Sequence, residues 1–308
     1  MLYIPQLIDN ARCYDEVRRM RWPNGVRCPG CTSNKIAKRG KNHRHQECRR
    51  YRCKKCGKQF DDLTGTIFAK HHQPLKIWII CLYMMWFNIP NRQIAQELDL
   101  NESDMQEMTS LLRGILKRRR PPRLEGETEI DEVYVVAGHK GRPDRITGRK
   151  GRRNRLKGAR GRGTLEKEKP PIFGMIQRDG EVCITMLENV QQKTIMPLIT
   201  ATVAPGTTIY TDEYDIYNRL SDQGYEHKTV CHSRGEYARD EDGDGFHEVH
   251  VNTMEGFWSL LRSWLRPHRG ISQEKLPIYL GFFEFVHNAR QRGKALLGSL
   301  IERLLQPA

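Results

Sequence analysis

The C-terminal part of this 308-residue chain predicts a mixed α/β domain, a sheet flanked by helices, set behind a small metal-stapled module and a helical segment. Three observations carry that expectation. Two Cys-x-x-Cys pairs, Cys28/Cys31 and Cys53/Cys56, stand near the start of the chain. Helical periodicity then runs from about Pro74 to Arg119, until the basic linker Lys117-Arg118-Arg119-Arg120-Pro121-Pro122-Arg123, where two prolines stop the helix. Beyond the linker, short β-rich runs dominate until helical patterns return near the end. The expected domains are therefore 1–68, 69–120 and 121–308, the last with a basic insert at 138–169.

Taken in order, a helix is expected over 11–20, ended by the turn Trp22-Pro23-Asn24-Gly25. An apolar helix follows through Trp78, Leu82 and Trp86. Asn91 to Leu98 forms a short amphipathic helix with Ile94, Ala95 and Leu98 inward; Asp99-Leu100-Asn101 turns the chain into a second helix carrying Met105, Met108 and Leu112. This pattern satisfies both a helix-turn-helix and an ordinary αα-hairpin, and Glu102 and Asp104 in the second helix's first turn oppose phosphate approach. After the linker the expected strands are 129–136, a hairpin of 172–177 and 182–187 around Arg178-Asp179-Gly180, then 207–211 and 226–230. Helices are expected at 192–203, 214–223, 253–265 and 272–305, the last broken near Gly293.

Composition narrows the class. With 52 Lys+Arg against 37 Asp+Glu the chain carries a formal +15, and 38% of its residues are hydrophobic, enough for real cores and too many for a disordered chain. The longest apolar run, 77–87, is well short of the ~20 residues a membrane-spanning helix needs. No secretory signal pattern is present, so a cytoplasmic, non-membrane protein is expected. Residues 138–169 hold thirteen Lys/Arg against three acids, a net +10, and this Gly/Arg-rich stretch suits a polyanion, of which nucleic acid is the commonest. The cations expected to hold phosphate are Arg149, Lys150, Arg152, Arg153, Arg155, Lys157, Arg160 and Arg162.

The paired cysteines are separated by 21 residues. Two such knuckles supply the four thiolates of a tetrahedral structural zinc site, Cys28, Cys31, Cys53 and Cys56. Cys48, His43 and His45 do not fit the pair spacing and are expected bystanders, while Cys13, Cys81, Cys183 and Cys231 are expected to pack as small apolar groups.

Three acids stand out in the C-terminal part: Asp131 within the first strand, Asp212 at the end of a later one, and Glu255 in the first turn of a helix. Carboxylates converging from different elements suit hard divalent cations, and two such cations serve in-line attack on a phosphodiester. Each acid also has a plainer reading: Asp131 can face solvent, Asp212 or Glu213 can cap a following helix, and Asn252 with Glu255 matches a capping box.

The order of these acids resembles the RNase H-like fold of DDE transposases and retroviral integrases. At finer grain the chain is similar to bacterial insertion-sequence DDE transposases with an N-terminal zinc ribbon and helix-turn-helix. The match runs through Arg21-Trp22-Pro23-Asn24-Gly25-Val26-Arg27-Cys28-Pro29-Gly30-Cys31, Tyr51-Arg52-Cys53 through Phe60 with Thr64-Gly65-Thr66-Ile67-Phe68, Glu129-Ile130-Asp131-Glu132-Val133-Tyr134-Val135, Thr211-Asp212 and His250-Val251-Asn252-Thr253-Met254-Glu255-Gly256-Phe257-Trp258-Ser259-Leu260-Leu261.

The resemblance implies that Asp131, Asp212 and Glu255 are the catalytic acids and hold two magnesium ions, with manganese able to substitute. It implies strand cleavage and strand transfer at terminal inverted repeats, on double-stranded DNA, by a homodimer or higher oligomer. Arg262 stands where such families often carry Lys, seven residues after the third acid, and is expected to hold DNA. Some members carry Asn as the third ligand, which makes Asn252 a rival, although its place three residues upstream favours capping. Two other readings share these features: a non-catalytic zinc-dependent regulator, and a nuclease or resolvase on the same fold.

Overall fold

A computed structural model describes residues 9–116, 122–140 and 163–291, together with Gly298, Ile301 and Leu305. Two compact units separate along the chain, 1–116 with 294–308, and 117–293. Among the described residues no helix is long and apolar enough to cross a membrane.

In the first unit, helix α1 (Asn10–Arg21) precedes a three-stranded antiparallel sheet of β1 (Ile36–Lys41), β2 (Arg49–Cys53) and β3 (Gln59–Asp61). So small a sheet has little core: Tyr51 and Phe60 stack, Trp22 packs edge-on against both, and Cys28 and Cys53 are buried beside them. A buried ion pair adds to it. The fully buried Asp62 accepts from Arg18 Nη1 at 2.7 Å, from the Tyr51 hydroxyl at 2.9 Å and from the Arg49 N–H at 2.7 Å, tying α1 to the sheet.

Helix α2 (Leu75–Trp86) buries side chains almost all round, which explains why its sequence is apolar apart from Lys76 in the first turn. Helices α3 (Asn91–Leu98) and α4 (Glu102–Leu116) form the expected hairpin, with Ile94, Ala95, Leu98, Met105, Met108 and Leu112 buried. Asp99 ends α3 in the left-handed region at φ 53°, and Asn101 Oδ1 accepts the Asp104 N–H at 2.7 Å to start α4.

The second unit is built on a five-stranded mixed sheet in the order β6-β5-β4-β7-β8. Strands β4 (Glu127–Tyr134), β5 (Pro171–Gln177) and β6 (Val182–Met186) are antiparallel neighbours, while β7 (Thr208–Asp212) and β8 (Glu226–Val230) run parallel to β4. The hairpin turn between β5 and β6 places Asp179 at φ 54° and closes with Gly180 N–H on the Gln177 carbonyl. Helix α5 (Gln192–Thr202) covers one face of the sheet, packing Ile195 and Ile199 on Ile130, Phe173 and Ile209. Helices α6 (Asn252–Leu265) and α7 (Leu276–Gln291) cover the other, with Phe257, Trp258, Leu261, Tyr279 and Phe283 on Val133, Ile172, Ile176 and Ile184. Two-residue strands β9 (Ala238–Arg239) and β10 (Val249–His250) pair just before α6.

Two local expectations are corrected. The segment 214–223 is not an α-helix but two 3₁₀ turns, Asp215–Tyr217 and Ser221–Gln223. Its inward residues Tyr214, Tyr217 and Leu220 recur every three positions, the 3₁₀ repeat, and no longer run of apolar side chains supports an α-helix. Nor do Asn252 and Glu255 form a capping box: the N-cap of α6 is Val251, without a side-chain bond. The acceptor for that helix end comes from β4.

Candidate active site

Strand parity decides which side chains meet. Glu129, Asp131 and Val133 share the face of β4 turned to α6, whereas Ile130 and Glu132 face α5. Glu132 accordingly accepts from the buried Tyr217 hydroxyl at 2.8 Å on the far side of the sheet, leaving Asp131 on the α6 side.

Asp131 sits at the centre of the sheet and is half-buried. Its Oδ2 accepts the indole N–H of Trp258 at 2.9 Å. Burial raises its carboxyl from 3.8 to about 6; the Glu132 backbone N–H and the Trp258 indole oppose the rise, and the charges of Asp212 and Glu255 add to it. The three acids are thus electrostatic neighbours, brought from β4, the end of β7 and the first turn of α6. Asp212 is half-buried and accepts the Tyr214 N–H at 3.1 Å, and Glu255 and Arg262 are exposed on α6. The acids do not gather as tightly as the cysteines described below. Among the described residues, the sets of three or more such groups with ligand atoms within 4.8 Å do not include them. An all-oxygen donor set fits a hard divalent cation, and mutual repulsion of the carboxylates is what such a cation offsets.

Behind the acids lies a buried ionic network that the sequence did not reveal. Glu129, fully buried, accepts from the Thr253 hydroxyl and the Met254 backbone N–H, both at 2.8 Å, so a strand carboxylate caps α6 from outside the helix. Arg178, from the β5–β6 turn, donates its Nε to Glu129 at 2.9 Å and one Nη to the His250 carbonyl at 3.1 Å, and lies over the Tyr210 ring. A single guanidinium therefore touches β4, β7 and the chain entering α6, the three elements that carry the acids. His250 belongs to this network, 3.2 Å from Glu129 and held below its ordinary value by burial and by Arg178. Alternation along the strand was the available signal, since Glu129 lies two residues before Asp131 and a buried carboxylate needs a cation.

Glu213, the alternative cap, accepts the N–H groups of His232 and Ser233 and holds a different turn. The basic residues Arg149, Lys150, Arg152, Arg153, Arg155, Lys157, Arg160 and Arg162 lie outside the described residues. The flanks of their segment pair with one another, Val135 N–H on the Pro170 carbonyl and Ala137 N–H on the Glu168 carbonyl. These pairs extend the hairpin whose first strand bears Asp131.

The cysteines converge as expected. The sulfurs of Cys28, Cys31, Cys53 and Cys56 all lie within 4.8 Å of one another, Cys28 to Cys56 and Cys31 to Cys53 at 3.6 Å. The Cys56 backbone N–H, with that of Lys55 and against some desolvation, holds the Cys53 thiol down to about 6, whereas Cys31, against the Ser33 backbone N–H, is pushed up to about 12 by its neighbouring sulfurs and desolvation. Cys48 is buried outside the cluster; Cys13 and Cys81 are buried, while Cys183 and Cys231 are only half-buried. An open groove beside the cluster is lined by Arg27, Lys35, Lys54 and Lys55. The exposed acidic loop Asp240, Asp242 and Asp244 also brings its carboxylates together, each accepting backbone N–H groups of the same loop.

Known proteins share both parts. Residues 123–288 match the family described as ISXO2-like transposase domain, and residues 8–59 the transposase zinc-ribbon domain. An uncharacterized protein in transposable element ISH50 of Halobacterium salinarum is 33% identical, over 99% of this chain and 100% of that protein. An uncharacterized transposase-like protein of Haemophilus influenzae is 28% identical over 35% of this chain and 81% of its own length. The cryoEM structure of a simian T-cell lymphotropic virus intasome in complex with PP2A regulatory subunit B56 gamma is similar over 67% of each chain, at 10% identity and a TM-score of 0.30.

Proposed function

This chain belongs to the ISXO2-like transposase family, with a zinc-ribbon domain of the transposase type ahead of its catalytic domain, and from that membership we propose that it cleaves and joins DNA at the terminal inverted repeats of an insertion sequence, using Asp131, Asp212 and Glu255. The observation that carries the reading most is Asp131 itself. It is a half-buried carboxylate whose ionisation is opposed by burial and by the charges of Asp212 and Glu255, at the centre of the sheet and on the α6 face. Burying an ionised carboxylate is costly without a compensating charge, and a bound cation would supply one.

Two magnesium ions would supply an activated nucleophile and stabilisation of the leaving oxygen. The chain's own part is to hold the three carboxylates from separate elements at one place. The zinc-ribbon groove with Arg27, Lys35, Lys54 and Lys55, the α3–α4 hairpin acting as a helix-turn-helix, Arg262 on α6 and the basic segment 138–169 would hold DNA phosphate, with affinity falling steeply in salt. Acting on two element ends together calls for at least two protomers.

The test uses the full-length, zinc-loaded chain with magnesium and a duplex carrying the DNA that flanks its gene. Nicking at the element boundary followed by joining to a target duplex is expected, as is loss of both steps in Asp131→Asn, Asp212→Asn and Glu255→Gln with DNA binding retained. Binding without cleavage by the wild type overturns the reading in favour of a regulator; cutting without joining overturns it in favour of a nuclease.

A further inference from the structure

Trp258 lies one helical turn beyond Glu255 on α6, yet its side chain is buried on the sheet side, 2% exposed, and its indole N–H reaches Asp131 Oδ2 at 2.9 Å. The approach depends on the residue facing Asp131 across the β4–β5 ladder. That partner is Gly174, and a Cβ there would stand 2.2 Å from Met254 Cε and 2.5 Å from Trp258 Cη2. Any larger residue at 174 would push α6 away from the sheet and the indole away from the carboxylate.

Resting on the reading of Asp131, Asp212 and Glu255 as the metal-holding acids, we propose that Trp258 is a positioning residue of that site. Its indole N–H, admitted by Gly174, fixes the Asp131 carboxylate in the rotamer that receives the cation. The geometry favours a role beyond packing. The indole N–H donates directly to Asp131, and it comes from the same helix that carries the third acid, so one rigid element sets both Glu255 and the orientation of Asp131. Hydrogen bonds to metal-ligating carboxylates typically contribute 10–100-fold in metal affinity, because they remove the rotamer freedom that binding would otherwise have to freeze.

The experiment measures manganese binding to the zinc-loaded full chain by titration calorimetry, beside the manganese concentration giving half-maximal cleavage. Trp258→Phe keeps a smaller aromatic ring there and removes the donor. A loss of about tenfold or more in manganese affinity is expected, with the cleavage rate recovering at saturating manganese. Met254→Leu disturbs the same packing against Gly174 without touching Asp131 and should stay within about threefold of the wild type. If Trp258→Phe binds manganese as the wild type does while Asp131→Asn loses binding, the inference falls and the reading of the acids stands. If Asp131→Asn binds as the wild type does, the acid reading falls as well.

A second measurement needs no change at Trp258. In wild-type chain labelled with ¹⁵N at its five tryptophan indoles, one indole N–H should shift on adding magnesium, and the shift should be absent in Asp131→Asn. Magnesium leaving all five unmoved would overturn the inference.

Discussion

Arg178 Nε lies 2.9 Å from Glu129 Oε1, with Glu129 fully buried and Arg178 half-buried. The pair joins the β5–β6 turn to the central strand, and through Glu129 to the first turn of α6. Without the guanidinium, the carboxylate that caps α6 would be buried without its arginine counter-charge.

Breaking this pair from one side should be severe. Arg178→Met is expected to destabilise the second unit by about 3–5 kcal/mol, the cost of leaving a buried charge without its partner. Arg178→Lys should recover only part, since an ammonium cannot reach Glu129, the His250 carbonyl and the Tyr210 face at once. Urea unfolding of the full chain measures this, and a loss below about 1 kcal/mol in Arg178→Met would refute the clamp.

The first unit has a counterpart in Arg18 and Asp62, 2.7 Å apart with the carboxylate wholly buried. Asp62→Leu or Arg18→Met should each cost about 3–5 kcal/mol. Because Asp62 also takes the Tyr51 hydroxyl and the Arg49 N–H, its removal should release α1 from the sheet. Hydrogen exchange of the α1 amides reports it, and unchanged protection there would contradict the assignment.

The acid site should make the metal-free protein less stable above pH 6. Asp131 has a carboxyl raised from 3.8 to about 6, so the folded chain holds that proton more tightly than the unfolded one. Its favourable contribution is complete below about pH 4 and is lost as pH rises through 6, an upper figure of about 3 kcal/mol. Asp131→Asn should therefore melt higher than the wild type at pH 8, with the difference gone at pH 4, and excess magnesium should narrow the gap at pH 8. Thermal unfolding at the two pH values, with and without magnesium, decides it.

Zinc removal should unfold the ribbon, because its core is small: Tyr51 and Phe60 with Trp22, beside the buried sulfurs of Cys28 and Cys53. Structural zinc contributes on the order of 10–16 kcal/mol in such modules. Cys53→Ser is expected to lose zinc to a competing chelator, whereas Cys48→Ser should retain one zinc per chain, since Cys48 lies outside the sulfur cluster. Metal content by atomic absorption separates the two, and equal retention would show that the four sulfurs do not act as a set.

Much of this was legible in the chain. The knuckle spacing announced the sulfur cluster, and the α3–α4 hairpin followed from Ile94, Ala95, Leu98 and the Asp99 turn. The β5–β6 hairpin was announced by its Asp-Gly turn. The strand-rich segment with Asp131 and Asp212 was recognisable by pattern, and the relative in Halobacterium extends the expected bacterial family to an archaeon. The 3₁₀ turns at 215–223 and the missing capping box were not legible, because a three-residue repeat and a Ser/Asn-like start look alike whether the helix continues or not.

The sequence by itself determined the list of chemical parts: paired thiols, spaced acids, a basic insert and the periodicities that make strands and helices. Those are local properties, set by neighbours a few residues away. Only the tertiary structure decided that Glu129 rather than Asn252 caps α6, that Arg178 spans the three acid-bearing elements, and that Gly174 admits Trp258 to Asp131. Those contacts join residues tens to more than a hundred positions apart. Their existence depends on strand order and on how closely a helix can approach a sheet, and neither is written in any single stretch of chain.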